Sequence, residues 1–206
     1  MTYAMTMTVN PTHSQIKTTQ PLVALYCGSR SGNHPIYQQT AIELSKALAD
    51  HHFGLVYGGA SIGLRGQVAN AVMENGGETV GVIPEFMLDY EIAHQNLTEL
   101  HIVKTMHERK ALMAERASAF IALPGGLGTF EEILEIATWG QLNQHQKPMM
   151  LYNVNGFYNA LITQLDHAVQ EGFLPPQHRA KLIVCDNKQH IFNVLKNLES
   201  PKHIMV

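Results

Sequence analysis

The sequence contains only two cysteines, one tryptophan and little charge of either sign. Lys and Arg total 14 against 17 Asp and Glu among 206 residues, a net charge of -3, which gives no sign of a nucleic-acid partner. No apolar stretch approaches the length of a membrane-spanning helix, so no membrane partner is predicted. Cys27 and Cys185 each end an apolar run, and the simplest interpretation is two reduced thiols in a cytoplasmic protein.

Metal-binding patterns are absent from the sequence as well. The 12 histidines are scattered, and neither His-Glu-x-x-His nor Cys-x-x-Cys occurs. Residues 1–20 are polar and rich in threonine, without the basic start and apolar centre of a secretory signal. We therefore predict no metal site and no cofactor, a flexible polar leader over residues 1–20, and a single folded domain over residues 21–206.

The most informative stretch runs from Ala119 to Glu132. The apolar run 119–123 predicts a buried strand, Pro124 ends it, and three glycines among residues 125–128 form a turn. Thr129 and Glu132 fit the Thr-x-x-Glu capping box, which predicts a helix over residues 130–141. Backbone N–H groups at such a helix start, with no Cβ atoms around them, are suited to bind phosphate.

Two questions stay open for this stretch on spacing alone. Glycine turns between strands and helices often only solve a packing problem, and this one is neither a dinucleotide fingerprint nor a P-loop. Glu132 is either the carboxylate of the capping box or an acid beside a bound phosphate sugar, where it stabilises positive charge or activates water.

Two further strand–turn–helix units precede this one. A strand over 22–27 leads through the polar turn 28–33 into a helix over 36–49, and a strand over 54–57 leads through glycine-rich residues 58–66 into a helix over 64–75. The other predicted elements are strands over 79–83, 100–103, 149–152 and 182–185, and helices over 105–116, 157–170 and 191–198. This alternation predicts an α/β fold, a Rossmann-like doubly wound parallel sheet with helices on both faces. All three glycine turns then lie at the carboxyl edge of the sheet, where ligands bind.

Two polar segments outside these turns are candidate ligand contacts. The connection over residues 85–98 is the longest between clear elements and carries Glu91 and His94, and long loops are often functional. Arg109 and Lys110 are adjacent on a predicted helix, so their side chains diverge by about 100 degrees. One of them can face a ligand while the other faces solvent, although most such pairs are only solvated.

Several motifs together resemble a known family. Pro124-Gly-Gly-Leu-Gly-Thr-Phe-Glu-Glu132 is similar to the Pro-Gly-Gly-x-Gly-Thr-x-x-Glu signature of the LOG ("lonely guy") proteins, which were long labelled lysine decarboxylases. Further stretches that resemble this family are Cys27-Gly-Ser-x-Ser-Gly32, Tyr57-Gly-Gly59, Gly63-Leu-x-Gly66, Met106-x-x-Arg-Lys110 and Thr138-Trp-x-Gln-Leu142. They cover residues 22–175 in the right order, and the combination is specific.

The resemblance implies the activity of that family, the cytokinin riboside 5'-monophosphate phosphoribohydrolases. These enzymes hydrolyse the N-glycosidic bond between an adenine-type base and ribose 5'-phosphate. Arg109 and Glu132 match the catalytic pair of the family. The residues that match its nucleotide contacts are Glu91, Lys110, Gly126, Leu127, Gly128, Thr129, Phe130, Glu131 and Thr138. Gly28, Ser29, Gly59 and Gly125 of the glycine turns are further expected substrate and phosphate contacts. Family members are usually dimers or larger, so a homodimer is expected, with the helix over 130–142 as part of its interface.

Two residues depart from the family pattern. Arg30 stands where a small serine is usual and Arg65 where methionine is common. Both flank glycine turns, and neither is expected to touch the catalytic pair. A different class of function also fits the motifs, namely a nucleotide or phosphosugar sensor or carrier without hydrolysis. A lysine decarboxylase is disfavoured, because no lysine lies in a context typical of a pyridoxal phosphate Schiff base.

Overall fold

The computed structural model describes residues 18–88 and 92–199. Residues 1–17 of the predicted leader and the predicted contact Glu91 lie outside the described residues. The strands are β1 (Leu22–Tyr26), β2 (Gly54–Tyr57), β3 (Thr79–Pro84), β4 (Glu99–Val103), β5 (Ala117–Ala122), β6 (Met149–Tyr152) and β7 (Leu182–Cys185). The helices are α1 (Pro35–Asp50), α2 (Gly63–Glu74), α3 (Met106–Arg116), α4 (Leu127–Gln141), α5 (Asn159–Gln170), α6 (Pro176–Arg179) and α7 (Lys188–Glu199).

In the described part of the chain, the strands form one seven-stranded sheet in the order β4-β3-β2-β1-β5-β6-β7. Every neighbouring pair is parallel. The chain winds outwards from β1 on one side and from β5 on the other, so the strand order reverses between these two strands. Ligands bind at such a reversal in open α/β sheets. The predicted doubly wound, Rossmann-like α/β fold is confirmed.

Helices cover both faces of the sheet, because successive side chains of a strand point to opposite faces. On one face, Val23 and Leu25 of β1 join a core with α1, α2 and α7. On the other face, Ala24 and Tyr26 join a core with α3, α4 and α5. All four side chains are buried, which explains why this strand is a continuous apolar run in the sequence.

Helix α4 begins three residues earlier than predicted, and the predicted capping box at Thr129 is wrong. Gly126 is the N-cap residue in an extended conformation (φ -94°, ψ -157°), and no side chain caps the helix. The N–H groups of Thr129 and Phe130 both donate to the Gly126 carbonyl, at 3.0 and 3.1 Å. Because the glycine turn itself supplies the N-cap, Thr129 lies inside the first turn and the Glu132 carboxylate is not used for capping.

The Thr-x-x-Glu pattern does cap a helix elsewhere, at the start of α3. The Glu108 N–H group donates to Thr105 Oγ1 at 3.1 Å, and Glu108 Oε2 accepts a bond from the Lys104 N–H group at 2.8 Å. These bonds fix the beginning of α3 at Met106. They thereby also set the position of Arg109, one turn into the helix.

The remaining differences from prediction concern the ends of elements. Strand β5 begins at residue 117 rather than 119, α5 begins at 159 after a short 3-10 turn over residues 154–156, and the four-residue α6 was not predicted. The last three residues of the predicted leader, 18–20, are hydrogen-bonded. The N–H groups of Thr19 and Gln20 both donate to Glu78 Oε2, at 2.7 and 2.8 Å. Among the described residues, no helix combines the length and the apolarity needed to cross a bilayer.

Candidate active site at the carboxyl edge of the sheet

The three glycine turns meet at one edge of the sheet, as predicted, because β2, β1 and β5 are neighbours. The Gly28 N–H group donates to the Pro124 carbonyl at 3.3 Å, which joins the β1 turn to the β5 turn. A Cβ atom on Gly63, at the start of α2, would overlap the Ser29 carbonyl. The β2 turn is therefore packed against the β1 turn just as closely.

The glycines of the β5 turn have two different roles. A Cβ atom on Gly125 would lie 2.7 Å from the Gly28 nitrogen, so glycine is required there by packing. A Cβ atom on Gly126 or Gly128 would meet nothing within 4 Å. The packing explanation left open by the sequence therefore holds for Gly125 and fails for the other two, which border open space at the start of α4.

This open space is suited to an anion. The N–H groups of Leu127 and Gly128 lie in the first turn of α4, where no partner within the helix is available. Leu127 is exposed, with 87% of its surface accessible. The positive end of the helix dipole and the unshielded N–H groups together favour a bound phosphate.

A buried ion pair lies beside these turns. Arg109 of α3 and Glu132 of α4 are 3% and 8% exposed, and Arg109 Nη2 lies 3.8 Å from Glu132 Oε1. This distance is an ion pair but is too long for a hydrogen bond. Arg109 Nη1 also contacts two soft acceptors, the sulfur atoms of Met106 at 3.5 Å and Met87 at 3.7 Å.

Gly58 of the β2 turn makes room for this pair. A Cβ atom at that position would lie 3.2 Å from Arg109 Cζ and would overlap the end of the guanidinium. The arginine therefore fills the space that the glycine leaves. All three glycine turns thus contribute to the candidate site, two by lining one cleft between them and one by accommodating Arg109.

The electrostatic environment of Glu132 pulls its pKa in two directions. Burial raises the pKa of Glu132 above its usual value, and the positive charges of Arg109 and Arg65 oppose the rise. Arg65, expected only to flank the β2 turn, therefore acts on the carboxylate electrostatically. Burial and the charges of Glu132 and Glu135 also raise the pKa of Tyr26 well above its usual value, so its hydroxyl stays protonated beside the carboxylates.

Lys110 is held by two carboxylates of α4. Its Nζ contacts Glu131 and lies 3.0 Å from Glu135 Oε1, and the lysine side chain is 10% exposed. Burial lowers the pKa of Lys110, and the two carboxylates more than offset this, so the pKa is raised. The possibility that one member of the Arg109–Lys110 pair faces solvent is wrong, because the Arg109 guanidinium lies against Gly58 of the β2 turn and Lys110 is directed towards α4.

Three other predicted contacts, Gly59, Phe130 and Thr138, lie in different surroundings. Gly59 is buried with φ +77°, and its carbonyl accepts the His94 N–H group at 2.9 Å, so it anchors the loop over residues 92–97. The Phe130 ring packs against Phe157 and Tyr158, with centroids 6.2 and 6.1 Å away. Thr138 is exposed and donates to the Leu134 carbonyl at 2.8 Å. It follows Gly126 by 12 residues, about 18 Å along α4, so this chain does not bring it to its own turn.

Sequence reasoning missed four residues at or near the pair. Gly58 and Met87 contact Arg109, Glu135 contacts Lys110, and the charge of Glu132 acts on Tyr26. Gly58 lies inside the Tyr57-Gly-Gly59 motif, so the sequence could have identified it. Glu135 follows Glu131 by one helical turn, a spacing that places two carboxylates on one face. No local signal marks Tyr26 or Met87, because their roles depend on packing between distant elements.

The described residues contain no group of three His, Cys, Asp or Glu side chains arranged to hold a metal ion. Cys27 and Cys185 are free thiols and both are buried, in agreement with the prediction of reduced cysteines. Burial raises the pKa of each thiol to about 12, so neither is a nucleophile near neutral pH.

Comparisons with solved structures support the fold. The molybdenum cofactor carrier protein of Chlamydomonas reinhardtii superposes with a TM-score of 0.65 at 19% identity, over 87% of this chain and 98% of that one. The molybdenum cofactor binding protein of Rippkaea orientalis gives a TM-score of 0.64 at 16% identity, over 89% of this chain and 100% of that one. At such low identity these structures show the shared fold alone.

Sequence comparisons are more specific. Residues 66–195 match a family model described as "Possible lysine decarboxylase". A cytokinin riboside 5'-monophosphate phosphoribohydrolase of Arabidopsis thaliana is 46% identical over 177 residues, 86% of this chain and 82% of that protein. One of Rhodococcoides fascians is 49% identical over 173 residues, 84% of this chain and 87% of that protein. The chain therefore belongs to the LOG family, whose curated members include these phosphoribohydrolases.

Proposed function

We propose that the protein hydrolyses the N-glycosidic bond of N6-substituted adenosine 5'-monophosphates, including cytokinin riboside 5'-monophosphates. The products are the free base and ribose 5-phosphate. The observation that carries this proposal is the buried Arg109–Glu132 pair beside a glycine turn with open space at its helix start. The names of relatives at 46% and 49% identity support the same reaction and substrate class.

The 5'-phosphate binds at the start of α4 in this proposal. The N–H groups of Leu127 and Gly128 donate to its oxygens, and the helix dipole stabilises its charge. Gly126 and Gly128 leave room for the phosphate because a side chain at either position would occupy the open space. Ser29, exposed on the adjoining β1 turn, supplies a hydroxyl on the opposite side.

The chemical step then takes place at the ribose. The C1'–N bond breaks, its electron pair leaves with the base, and positive charge builds on the sugar, as in glycoside cleavage. The Glu132 carboxylate stabilises that charge and orients a water molecule towards C1', accepting its proton as a general base. The departing base gains a proton, so the hydrolysis is balanced by one water molecule.

The pair geometry suits this role for Glu132. Burial raises its pKa and so makes it a stronger base than an exposed carboxylate, while Arg109 favours its ionised form. At 3.8 Å the arginine does not hydrogen-bond Glu132 Oε1, which leaves that oxygen able to accept a bond from water or from a ribose hydroxyl.

Incubation with AMP and with N6-isopentenyl-AMP tests the proposal. We expect released base, measured by chromatography, with both substrates and faster release from the N6-substituted one. Nucleotide that is bound but not cleaved would contradict hydrolysis and would favour the sensor or carrier. Heat-denatured protein controls for spontaneous loss of the base.

We also propose a homodimer that uses the exposed side of α4. Leu127, Glu131, Thr138 and Leu142 follow one another at spacings of about one or two turns and share one face. The two leucines are 87% and 61% exposed. Thr138 lies too far from its own glycine turn to contact a ligand there, but in a dimer it can reach the glycine turn of the second copy.

Light scattering tests the dimer. Leu142→Asp would give a monomer, whereas Phe173→Asp, at an exposed residue outside α4, would leave the dimer intact.

A cytoplasmic location completes the proposal. Cys27 and Cys185 are free, and thiols stay reduced in that compartment. Fractionation of cells that express the full chain with a tag tests it, and recovery of the protein outside the cell would contradict it.

A further inference from the structure

A cleft lies between the β1 turn and the β5 turn, next to the proposed phosphate position. Its volume is about 240 Å³, and it is lined by residues 28–32 of the β1 turn, residues 124–126 of the β5 turn, Tyr37 and Phe157. Neither Arg109 nor Glu132 lines it. A phosphate at the start of α4 therefore borders this cleft, whose lining includes two aromatic rings and neither member of the catalytic pair.

The far wall of the cleft is aromatic and fixed. The Tyr37 and Phe157 rings meet edge to face, with centroids 5.9 Å apart and an interplanar angle of 76°. Tyr158 holds Phe157 from behind in a second edge-to-face contact at 5.1 Å. A Cβ atom on Gly32 would lie 2.9 Å from the Tyr37 ring, so the β1 turn closes directly onto it. Rings held in this way offer a surface on which a flat heterocycle stacks, and a bare phosphate makes no use of them.

The mouth of the cleft is polar and carries a positive charge. Ser29 and Arg30 are exposed, and Ser31 is half-buried beside them. Within the described part of the chain, the Arg30 side chain forms no ion pair or hydrogen bond. An arginine in this setting is able to bind a phosphate through its paired N–H groups.

We propose that the cleft is a second subsite, which binds a nucleobase joined through a second phosphate to the nucleoside monophosphate at the active site. The ligand class is a pyrophosphate-linked dinucleotide. Its second phosphate contacts Arg30, and its second base packs against the Tyr37 and Phe157 rings, stacked on one ring and edge-on to the other. The inference rests on the proposed function, because it takes the position of the first phosphate from that proposal.

Calorimetric titration of the full chain carrying Glu132→Gln tests the subsite without hydrolysis of the ligand. The ligands are AMP, ADP and diadenosine 5',5'-pyrophosphate. We expect the dinucleotide to bind at least about tenfold more tightly than AMP, since one stacked base contributes a factor of that size. We expect the affinity for ADP to lie between those for AMP and the dinucleotide, because ADP adds the second phosphate without the second base.

Three variants in the same background separate the parts of the subsite. Tyr37→Leu and Phe157→Leu keep apolar volume but remove a ring, and each lowers dinucleotide affinity by about fivefold or more while AMP affinity is unchanged. Arg30→Gln weakens the binding of ADP and of the dinucleotide and leaves the affinity for AMP unchanged. Phe173→Leu, at a ring that is 87% exposed and outside the cleft, is the matched control. Circular dichroism melting confirms that each variant is folded.

The results distinguish this inference from the proposed function. If the unsubstituted protein cleaves AMP and the dinucleotide binds no more tightly than AMP to Glu132→Gln, the second subsite is overturned alone. An equal loss of dinucleotide affinity in Phe173→Leu also overturns it. If neither AMP nor the dinucleotide binds, the phosphate position is wrong and both proposals fall.

Discussion

The two edges of the sheet hold their ion pairs in different ways. At the amino edge, Arg116 donates to both oxygens of Glu99 at 2.9 Å, and His101 and the Thr18 N–H group bond to the same carboxylate at 2.9 and 3.0 Å. At the carboxyl edge, Arg109 and Glu132 stand 3.8 Å apart, and sulfur atoms contact the guanidinium. Short charge-assisted hydrogen bonds hold the Glu99 carboxylate in place, whereas the 3.8 Å separation leaves Glu132 Oε1 without a hydrogen bond from Arg109.

The substitution with the largest expected effect on activity is at Glu132, in the ion pair of the carboxyl edge. Glu132→Gln keeps the shape of the side chain but removes the base, so kcat/KM for AMP falls by about 100- to 10,000-fold. Because burial raises the pKa of this carboxyl group, its ionised form opposes folding above that pKa, and the variant keeps or gains thermal stability at pH 7. Base release and circular dichroism melting measure the two effects.

The exposed Glu171→Gln serves as a control for the loss of a carboxylate. Unchanged turnover in Glu132→Gln would remove Glu132 from the mechanism. The same base role predicts that wild-type activity falls as the pH decreases through the raised pKa of Glu132, and a pH profile that is flat on the acid side would contradict it.

The opposite result is expected at the amino edge. Arg116 and the other donors hold the pKa of Glu99 down at about 2. Because the pKa of Glu99 is lower in the folded state than in the unfolded state, its ionised carboxylate stabilises the fold at any pH above the unfolded-state pKa. This stabilisation is lost as the pH falls from about 5 towards 2. Glu99→Gln therefore lowers the free energy of unfolding at pH 7 by about 2 kcal/mol, flattens its pH dependence in that window, and leaves kcat unchanged.

Urea denaturation across that pH range measures the loss. Asp166→Asn is the matched control, because Asp166 is 51% exposed in its pair with Arg179 and such surface pairs contribute about 1 kcal/mol or less. Equal losses in the two variants would show that the Glu99 network has no special importance for stability.

A smaller effect separates the glycines of the β5 turn. Gly128→Ala fills open space inside the first turn of a helix, so stability stays equal or rises by about 0.5–1 kcal/mol. The added methyl group would occupy the proposed phosphate position, and KM for AMP is then expected to rise by about tenfold, the equivalent of one lost phosphate hydrogen bond. Gly125→Ala, at the packed position, instead lowers the melting temperature.

The smallest expected effect tests the role of Lys110. If the lysine holds α3 against α4, Glu135→Gln weakens that contact and lowers kcat by about threefold with little change in KM. If Lys110 mainly binds the nucleotide, as the family resemblance implies, Glu135→Gln leaves kcat unchanged and Lys110→Met raises KM. Steady-state kinetics of both variants decide between these roles.

The sequence was sufficient for the fold because its signals are local. Apolar strands such as 22–26, ended by glycine or proline, alternate with amphipathic helices, and this alternation alone places the turns at one edge. The start of α4 was predicted wrongly because Thr-x-x-Glu occurs at both Thr105 and Thr129. Only the extended conformation of Gly126 decides which threonine caps a helix.

The candidate site was predictable in its residue types but not in its contacts. The family resemblance singled out Arg109, Lys110 and Glu132, and their assignment to the substrate is still a prediction. That Lys110 is enclosed by Glu131 and Glu135 follows from the packing of α3 on α4, which no window of sequence contains. The influence of Arg65 on Glu132 likewise depends on how α2 faces α4 across the end of β1.

The absent side chain at Gly58 ties two distant positions of the chain together. Any larger residue there displaces the guanidinium that now fills the space, and Arg109 is 51 positions further along the sequence. Across homologues, glycine at the first position and arginine at the second are therefore expected to be inherited or lost as a unit. A protein of this fold that has abandoned hydrolysis is free to change both, which makes the combination a marker for sorting working enzymes from their inactive descendants.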